Sequence, residues 1–297
     1  MDTRARVSAV AAGLVLGIAG SALAADVTWT GAGGDGQWGT ATNWSNNAGP
    51  GAADRPIITT NGFSSAVKRI RLGAHRTVNE LRFNTSSVGA DNVIIDGEET
   101  YALTIKNGVI SGPGWGTPKI SSALSCDVIL GASGSWTLPE NWQSVLSLYG
   151  RVTDEGNGYS VSLGGNQNMY YVIGGPWEIG GSINLQAAGA RIGGVYSNAA
   201  AAVFYGGSVT GAVGVYLDGR MNSNDQSDTM LTIENQYQAD SDRIRGATRL
   251  GTKRTGGGIV FNGNATSPVA ERVSALDLQS GRLGLTVTGI TAGTNPT

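Results

Sequence analysis

A single cysteine in 297 residues removes the internal disulfide as a means of holding this chain together. Cys126 lies in the alternating stretch SSALSCDVIL, where a small buried apolar side chain is expected, and no neighbouring basic residue would lower its pKa. There is also one histidine, His75 in LGAHRTVNE, which excludes a His-based zinc site and leaves a Ser-His-Asp triad only one possible base. No G-x-S-x-G nucleophile elbow accompanies it, so His75 is expected in a surface loop. Charged residues make up 14% of the chain, against about 25% in ordinary domains. Only 8 residues are proline, which argues against a collagen or a proline-rich linker. Runs rich in Leu, Lys and Glu are scarce, and with them most helices.

What is abundant is glycine, 47 residues, more than double the usual share of about 7%. Set among Val, Ile and Thr, it points to an all-β protein. Short alternating runs recur along the chain: NELRFN (79–84), NVIIDG (92–97), YALTIKNGVIS (101–111), VLSLYGRV (145–152), YSVSLGG (159–165), WEIGGSINL (177–185), MLTIEN (230–235), GIVFNGN (258–264) and SALDLQSGRLGLTV (274–287). Apolar side chains at every second position share one face of a strand. Asp96-Gly97 and Asn107-Gly108 could close hairpins, which keeps a sandwich or lectin-like module in view. Yet the runs do not come as matched pairs, and each is followed by Gly or Asn, suited to left-handed corners. A right-handed parallel β-helix is therefore expected, with roughly 20 to 25 residues per coil, on the order of eleven coils and a rod near 50 Å long. Ala199–Ala202 is the main ambiguous segment, running directly into VFYGG.

The first 24 residues differ in kind. Arg4 and Arg6 precede an apolar run from Val7 to Ile18, and Ala22-Leu23-Ala24 places small residues at a cleavage site, the pattern of a secretory signal peptide. That run is too short for a comfortable membrane span. Its removal leaves 18 basic and 21 acidic residues, a formal charge of −3, which offers no field for nucleic acid or acidic lipid. The expected order is a signal peptide at 1–24, a cap region at 25–66, a solenoid body at 67–287 and a flexible tail at 288–297. The only brief basic stretch, VKRIRLGAHR, alternates, so Lys68, Arg69, Arg71 and Arg76 are expected on an exposed face or first-coil edge, where charge blocks stray strand pairing.

Three of seven tryptophans, Trp29, Trp38 and Trp44, fall in WTGAGGDGQWGTATNWSN at the expected first coil. A solenoid's first coil has an apolar end and unpaired edges, so these rings are expected to close it; sugar stacking on exposed rings is the alternative. This opening, followed by GPGAADRP, VNELRFN, LTIKNGVIS and VAERVSALDLQSGRLGLTV, resembles secreted bacterial proteins with autotransporter-associated β-strand repeats. The resemblance spans about residues 27–287 and is strongest at its two ends. It implies a cell-surface or extracellular parallel β-helix of the passenger, adhesin or matrix type, and no reaction. After Thr286 the sequence finishes in TAGTNPT without amphipathic membrane strands, so self-anchoring is not expected.

Residues that could carry chemistry are few. Trp136 and Trp142 bracket SWTLPENW and are the better candidates for sugar stacking; the alternative is packing between coils. Asp218, Asn222, Asn224, Asp225 and Asp228 in DGRMNSNDQSD are oxygen-bearing side chains suited to calcium, but they lack the order and glycine of an EF-hand loop. Asp240, Asp242, Arg243 and Arg245 in ADSDRIR would serve a polysaccharide lyase, the carboxylates holding a uronate through calcium and an arginine acting as base. A paired-carboxylate hydrolase would need two acids across a cleft. The glycine runs GGGIV and GGSIN precede strands rather than helices and cradle no phosphate. No cofactor is implied. The expected function is display: flat polar faces that bind an extracellular polysaccharide or surface proteins through many weak contacts.

Overall fold

A computed structural model describes residues 24–288 apart from 61–62, 64–67, 85–91, 113–120, 139–144, 166–169, 187–188, 193, 199–200, 206–207, 211–213, 220–228, 236–242, 246–248, 255, 265–266 and 268. Apart from one 3-10 turn at Ala41–Asn43, its regular structure is all strand. From Lys68 onward the chain repeats a single course. Lys68–Arg71 runs into Arg76–Val78 and then Leu81–Phe83; the next three strands, Asn92–Asp96, Ala102–Ile105 and Ile110–Ser111, lie beside them in the same order and direction. Repetition builds three parallel sheets: face 1 of nine strands from Lys68–Arg71 to Arg282–Thr288, face 2 of six from Arg76–Val78 to Ser208–Thr210, and face 3 of ten from Asp26–Thr28 to Ala275–Leu278.

The expected β-solenoid is thus the fold, but with about seven turns instead of eleven. Neighbours on face 1 are 19 to 41 positions apart in the chain, most of them 24 to 29. Corners and insertions lengthen each coil beyond the strands alone. The widest interval, Gly189 to Met230, contains the one antiparallel strand pair among the described residues, Gly194–Asn198 with Ala201–Tyr205, into which part of the poly-alanine run falls. Asp96-Gly97 and Asn107-Gly108 are not hairpin turns, since each links strands on different faces.

Strand alternation decides what fills the interior. On face 1 Ile70, Ile95, Leu124, Leu148 and Ile173 follow one another in register; on face 2 Leu103, Val128, Val152, Trp177 and Val209 do the same; on face 3 the row is Leu81, Ile110, Trp136, Leu163, Leu185 and Leu217. All are at most 2% exposed and belong to one continuous core. Each coil buries its row against the rows before and after it, so no coil is stable alone.

The corner from face 1 to face 2 corrects the reason for part of the glycine. Gly150 and Gly175 do not have left-handed backbones. A Cβ on Gly150 would lie 2.1 Å from the Cys126 carbonyl oxygen, and one on Gly175 would lie 2.2 Å from that of Gly150. Backbone passes directly over backbone here, and glycine is the residue that permits the approach. Cys126 occupies the same column and is 2% exposed, the small buried side chain expected. Burial pushes its thiol up to about 12.

Candidate functional site

The tryptophan-rich opening is closed, and its polar residues show how. Trp29, Trp38 and Trp44 are at most 1% exposed. Trp44 packs edge-on against both others, with centroids 5.0 Å from Trp29 and 4.8 Å from Trp38, and its indole N–H donates to the Trp38 carbonyl at 2.7 Å. Around them, Asp35 accepts from the Thr40 hydroxyl (2.5 Å), the Gln37 N–H (2.9 Å) and the Asn43 amide (2.7 Å). The Thr40 hydroxyl first, then the Gln37 N–H, hold the Asp35 carboxyl below its ordinary range. Asn43 is fully buried, and its side-chain oxygen accepts the Gly33 N–H at 2.8 Å. A Cβ on Gly33 would fall 2.7 Å from that oxygen, which accounts for glycine there. These bonds aim the loop so that Gln37 bridges Arg71, covering the free edge of face 1.

The basic stretch after the cap divides. Arg69 and Arg71 are exposed on the first strand of face 1, Arg69 paired with Asp96, and Arg71 3.9 Å from Glu98 of the next coil. Lys68 is 8% exposed, in register with Val93, and Arg76 is in register with Leu103, so both occupy inward rows of the first coil. Burial lowers the pKa of Arg76, whose Nε donates to the Leu72 carbonyl at 3.0 Å. His75 is exposed, as expected; its Nδ1 accepts the Ala102 N–H at 3.1 Å.

An open groove of about 440 Å³ lies where face 2 turns toward face 3, lined by Arg151, Thr153, Asp154, Glu155, Gly156, Glu178, Ile179, Gly180 and Thr210. Three successive coils contribute to it, because Thr153, Glu178 and Thr210 are in register on adjacent strands. The same outward row continues up face 2 through Ile129, Thr104 and Thr77. Asp154 forms the floor: 1% exposed, it accepts the N–H groups of Gly156 (3.0 Å), Tyr159 (2.7 Å) and Gly180 (3.0 Å), tying two corner turns together. With three donors upon it, this carboxylate is committed to the fold. Arg151 stands at the rim between Asp127 (3.2 Å) and Glu178 (3.6 Å), and Glu155, beyond it, has a left-handed backbone with φ 53°. The groove therefore offers the Thr210 hydroxyl, one guanidinium and two exposed carboxylates along about 10 Å of rod, the span of three strands, while Thr153 beneath them is 6% exposed and its hydroxyl oxygen accepts the Glu155 N–H at 3.0 Å.

The residues singled out from sequence lie elsewhere. Trp136 is fully buried, T-shaped against Trp177 at 5.3 Å, with its N–H donated to the Gly108 carbonyl at 3.1 Å, so neither ring face is open to a sugar. Arg243 is also fully buried. Its Nε donates to Asn235 Oδ1 at 2.7 Å, and its backbone N–H and that of Ile244 bind the Glu271 carboxylate at 2.9 and 3.0 Å. A guanidinium so placed supports the coil and cannot reach an external polymer. Arg245 is exposed beside the bridge between Ile244 and Val209. Asp218 is 6% exposed and pairs with Arg254 at 3.1 Å, so a cation of the protein's own already faces it. Trp142, Asn222, Asn224, Asp225, Asp228, Asp240 and Asp242 lie outside the described residues. Among the described residues no three His, Cys, Asp or Glu side chains gather as a metal site.

Sequence reasoning missed the groove. RVTDEGNG carries a plain turn signal, but Glu178 and Thr210 join Thr153 only through coil register, and intervals between coils vary too much to be read by eye. The fold and this site define a parallel β-solenoid with a closed tryptophan-rich end and a polar groove on one corner. Comparison with family models, with curated proteins and with solved structures finds no match to this chain.

Proposed function

We propose that the chain is a structural or adhesive scaffold of the secreted or cell-surface kind, which holds an extended polar polymer against the corner groove and the neighbouring outer row of face 2. The observation that carries this is the alignment of Thr153, Glu178 and Thr210 across three coils with Arg151 at the rim. Strands spaced about 4.8 Å apart set Glu178 and Thr210 beside one another, and weak contacts from such neighbours to a chain lying along the rod sum to retention. The apolar N-terminal run with its small-residue cleavage pattern supports secretion. The resemblance of the tryptophan-glycine opening to autotransporter-associated β-strand repeat proteins supports the passenger or matrix class. An extracellular polysaccharide is the favoured partner, with surface proteins second; the polymer's identity waits on the assay.

The test is affinity electrophoresis in gels containing neutral or acidic polysaccharides, with product analysis of the same mixtures. Retention by at least one polymer without new chain ends is expected, and replacing Arg151 and Glu178 together with alanine should weaken it by roughly tenfold, since hydrogen bonds to charged groups are worth about 1.5–3 kcal/mol. Failure of every polymer to retard the protein would remove the proposal. Calcium-dependent formation of unsaturated uronate would replace binding with lyase chemistry.

A further inference from the structure

The charges of the corner groove are unevenly matched. Arg151 is the only cation among the residues that line it, and it is already answered on both sides, by Asp127 at 3.2 Å and Glu178 at 3.6 Å. Glu155 is exposed at the same corner, and no ion pair joins its carboxylate to a described residue. Beneath them the Asp154 carboxylate is met by three backbone N–H groups and by no cation. Two further cations lie along this edge of the rod without lining the groove. Arg245 follows the bridge of Ile244 to Val209 and so stands beside Thr210, and Lys106 turns the same corner two coils earlier. Within the groove, carboxylates therefore outnumber the guanidinium that could balance them.

We infer that the groove selects a polysaccharide carrying free amines and disfavours one carrying carboxylates. The inference rests on polymer binding at this groove and adds the charge that the polymer must have. A polyuronate would need Arg151 as its receptor. Drawing that guanidinium away would leave Asp127 and Glu178 unpaired beside the incoming carboxylates, with Glu155 repelling them as well, and like charges set against each other are what suppress a wrong partner. An ammonium group meets the reverse arrangement. Glu155 gains a first partner and Glu178 a second, no existing pair has to break, and the bonds formed are charge-assisted. A neutral glycan makes hydrogen bonds to Thr210 and the carboxylates without the ionic part, and stands between the two. Because these groups face water, each contact carries a small factor that salt screens, and repetition along the polymer multiplies it.

Calorimetric titration of the full chain with hexamers of glucosamine, N-acetylglucosamine and galacturonate tests it at about pH 5.5, where amines are protonated. The expected order of affinity is the amine first, the acetylated sugar second and the uronate last, with amine binding falling as salt rises. Glu155→Gln keeps the shape of the side chain and should weaken the amine hexamer about three- to tenfold while leaving the acetylated one unchanged. Adding Glu178→Gln should abolish the preference. Glu99→Gln removes the same charge from another corner, at a residue with the same left-handed backbone (φ 60°), and should change nothing, which separates the groove from general attraction to an acidic protein. Equal affinity for the three hexamers, tighter binding of the uronate, or an amine preference indifferent to the paired glutamine substitutions would each overturn the inference and leave polymer binding standing. Binding of none of them would remove the reading on which it rests, and the inference with it.

Discussion

The first and last described rungs of this rod differ in what lies over them. At the first coil three indoles and a hydrogen-bonded loop around Asp35 and Asn43 stand where a preceding coil would be. At the last rungs Leu276, Leu278, Leu285 and Val287 hold the same kind of position and face solvent. A solenoid coil is buried by its neighbours alone, so an end is either closed by a dedicated cap or left to be covered by something else. The difference teaches that exposure here is a property of location in the stack, since leucines in equal register a few coils earlier are wholly buried.

Removing the cap should erase the difference, and gives the largest effect. Trp38→Ala deletes a fully packed indole and is expected to cost about 3–5 kcal/mol in urea unfolding, with the newly opened end drawing the protein into larger assemblies in sedimentation. An unchanged midpoint would mean that the indole is not holding the first coil.

Alkali probes the column between the ends. In the unfolded chain the Cys126 thiol ionises near its ordinary value of 9.0, whereas in the fold it holds its proton up to about 12. Its contribution is fully present below pH 9 and is lost as pH rises from there towards the folded value, at about 1.4 kcal/mol per pH unit and about 4 kcal/mol in all. Burial also pushes the Tyr171 hydroxyl upward, so it acts in the same direction. Denaturation measured between pH 8 and pH 11, which takes in about two-thirds of this window, should show the fall, and Cys126→Ala should make it shallower, leaving the part that Tyr171 contributes. A single transition throughout would show that the two ends remain coupled through the middle.

Asp35→Ala should cost less, about 1–2 kcal/mol, because it removes the acceptor shared by Thr40, Gln37 and Asn43 without touching the indoles. In the intact protein its lowered pKa adds stability above the ordinary carboxylate range that is lost as pH falls through the folded value, so the variant's acid limb should be shallower. Leu285→Lys should be the mildest, within about 0.5 kcal/mol for the monomer, since its side chain is already in water. A large loss there would mean that the open end is covered after all.

Much of this was legible because alternation is local. NVIIDG, YSVSLGG and MLTIEN are strands at Asn92–Asp96, Val161–Gly164 and Met230–Glu234, and the tryptophan opening is a closed end. Coil number was overestimated because corners and the inserted antiparallel pair do not advertise their length. Glycine was predicted from backbone torsion, but Gly150 is required by the carbonyl of the coil beneath it, a contact 24 positions away in sequence.

By itself, the sequence determined the class of element and the alternation of side chains along most strands, because these depend on neighbours one or two residues away, and its single cysteine excluded an internal disulfide. Only the tertiary structure decided which coil lies on which. That stacking set Thr153 beside Glu178 and Thr210 and drew Arg243 and Trp136 into the interior. Register between coils is fixed by the summed fit of whole rows, a quantity that no single stretch of residues contains.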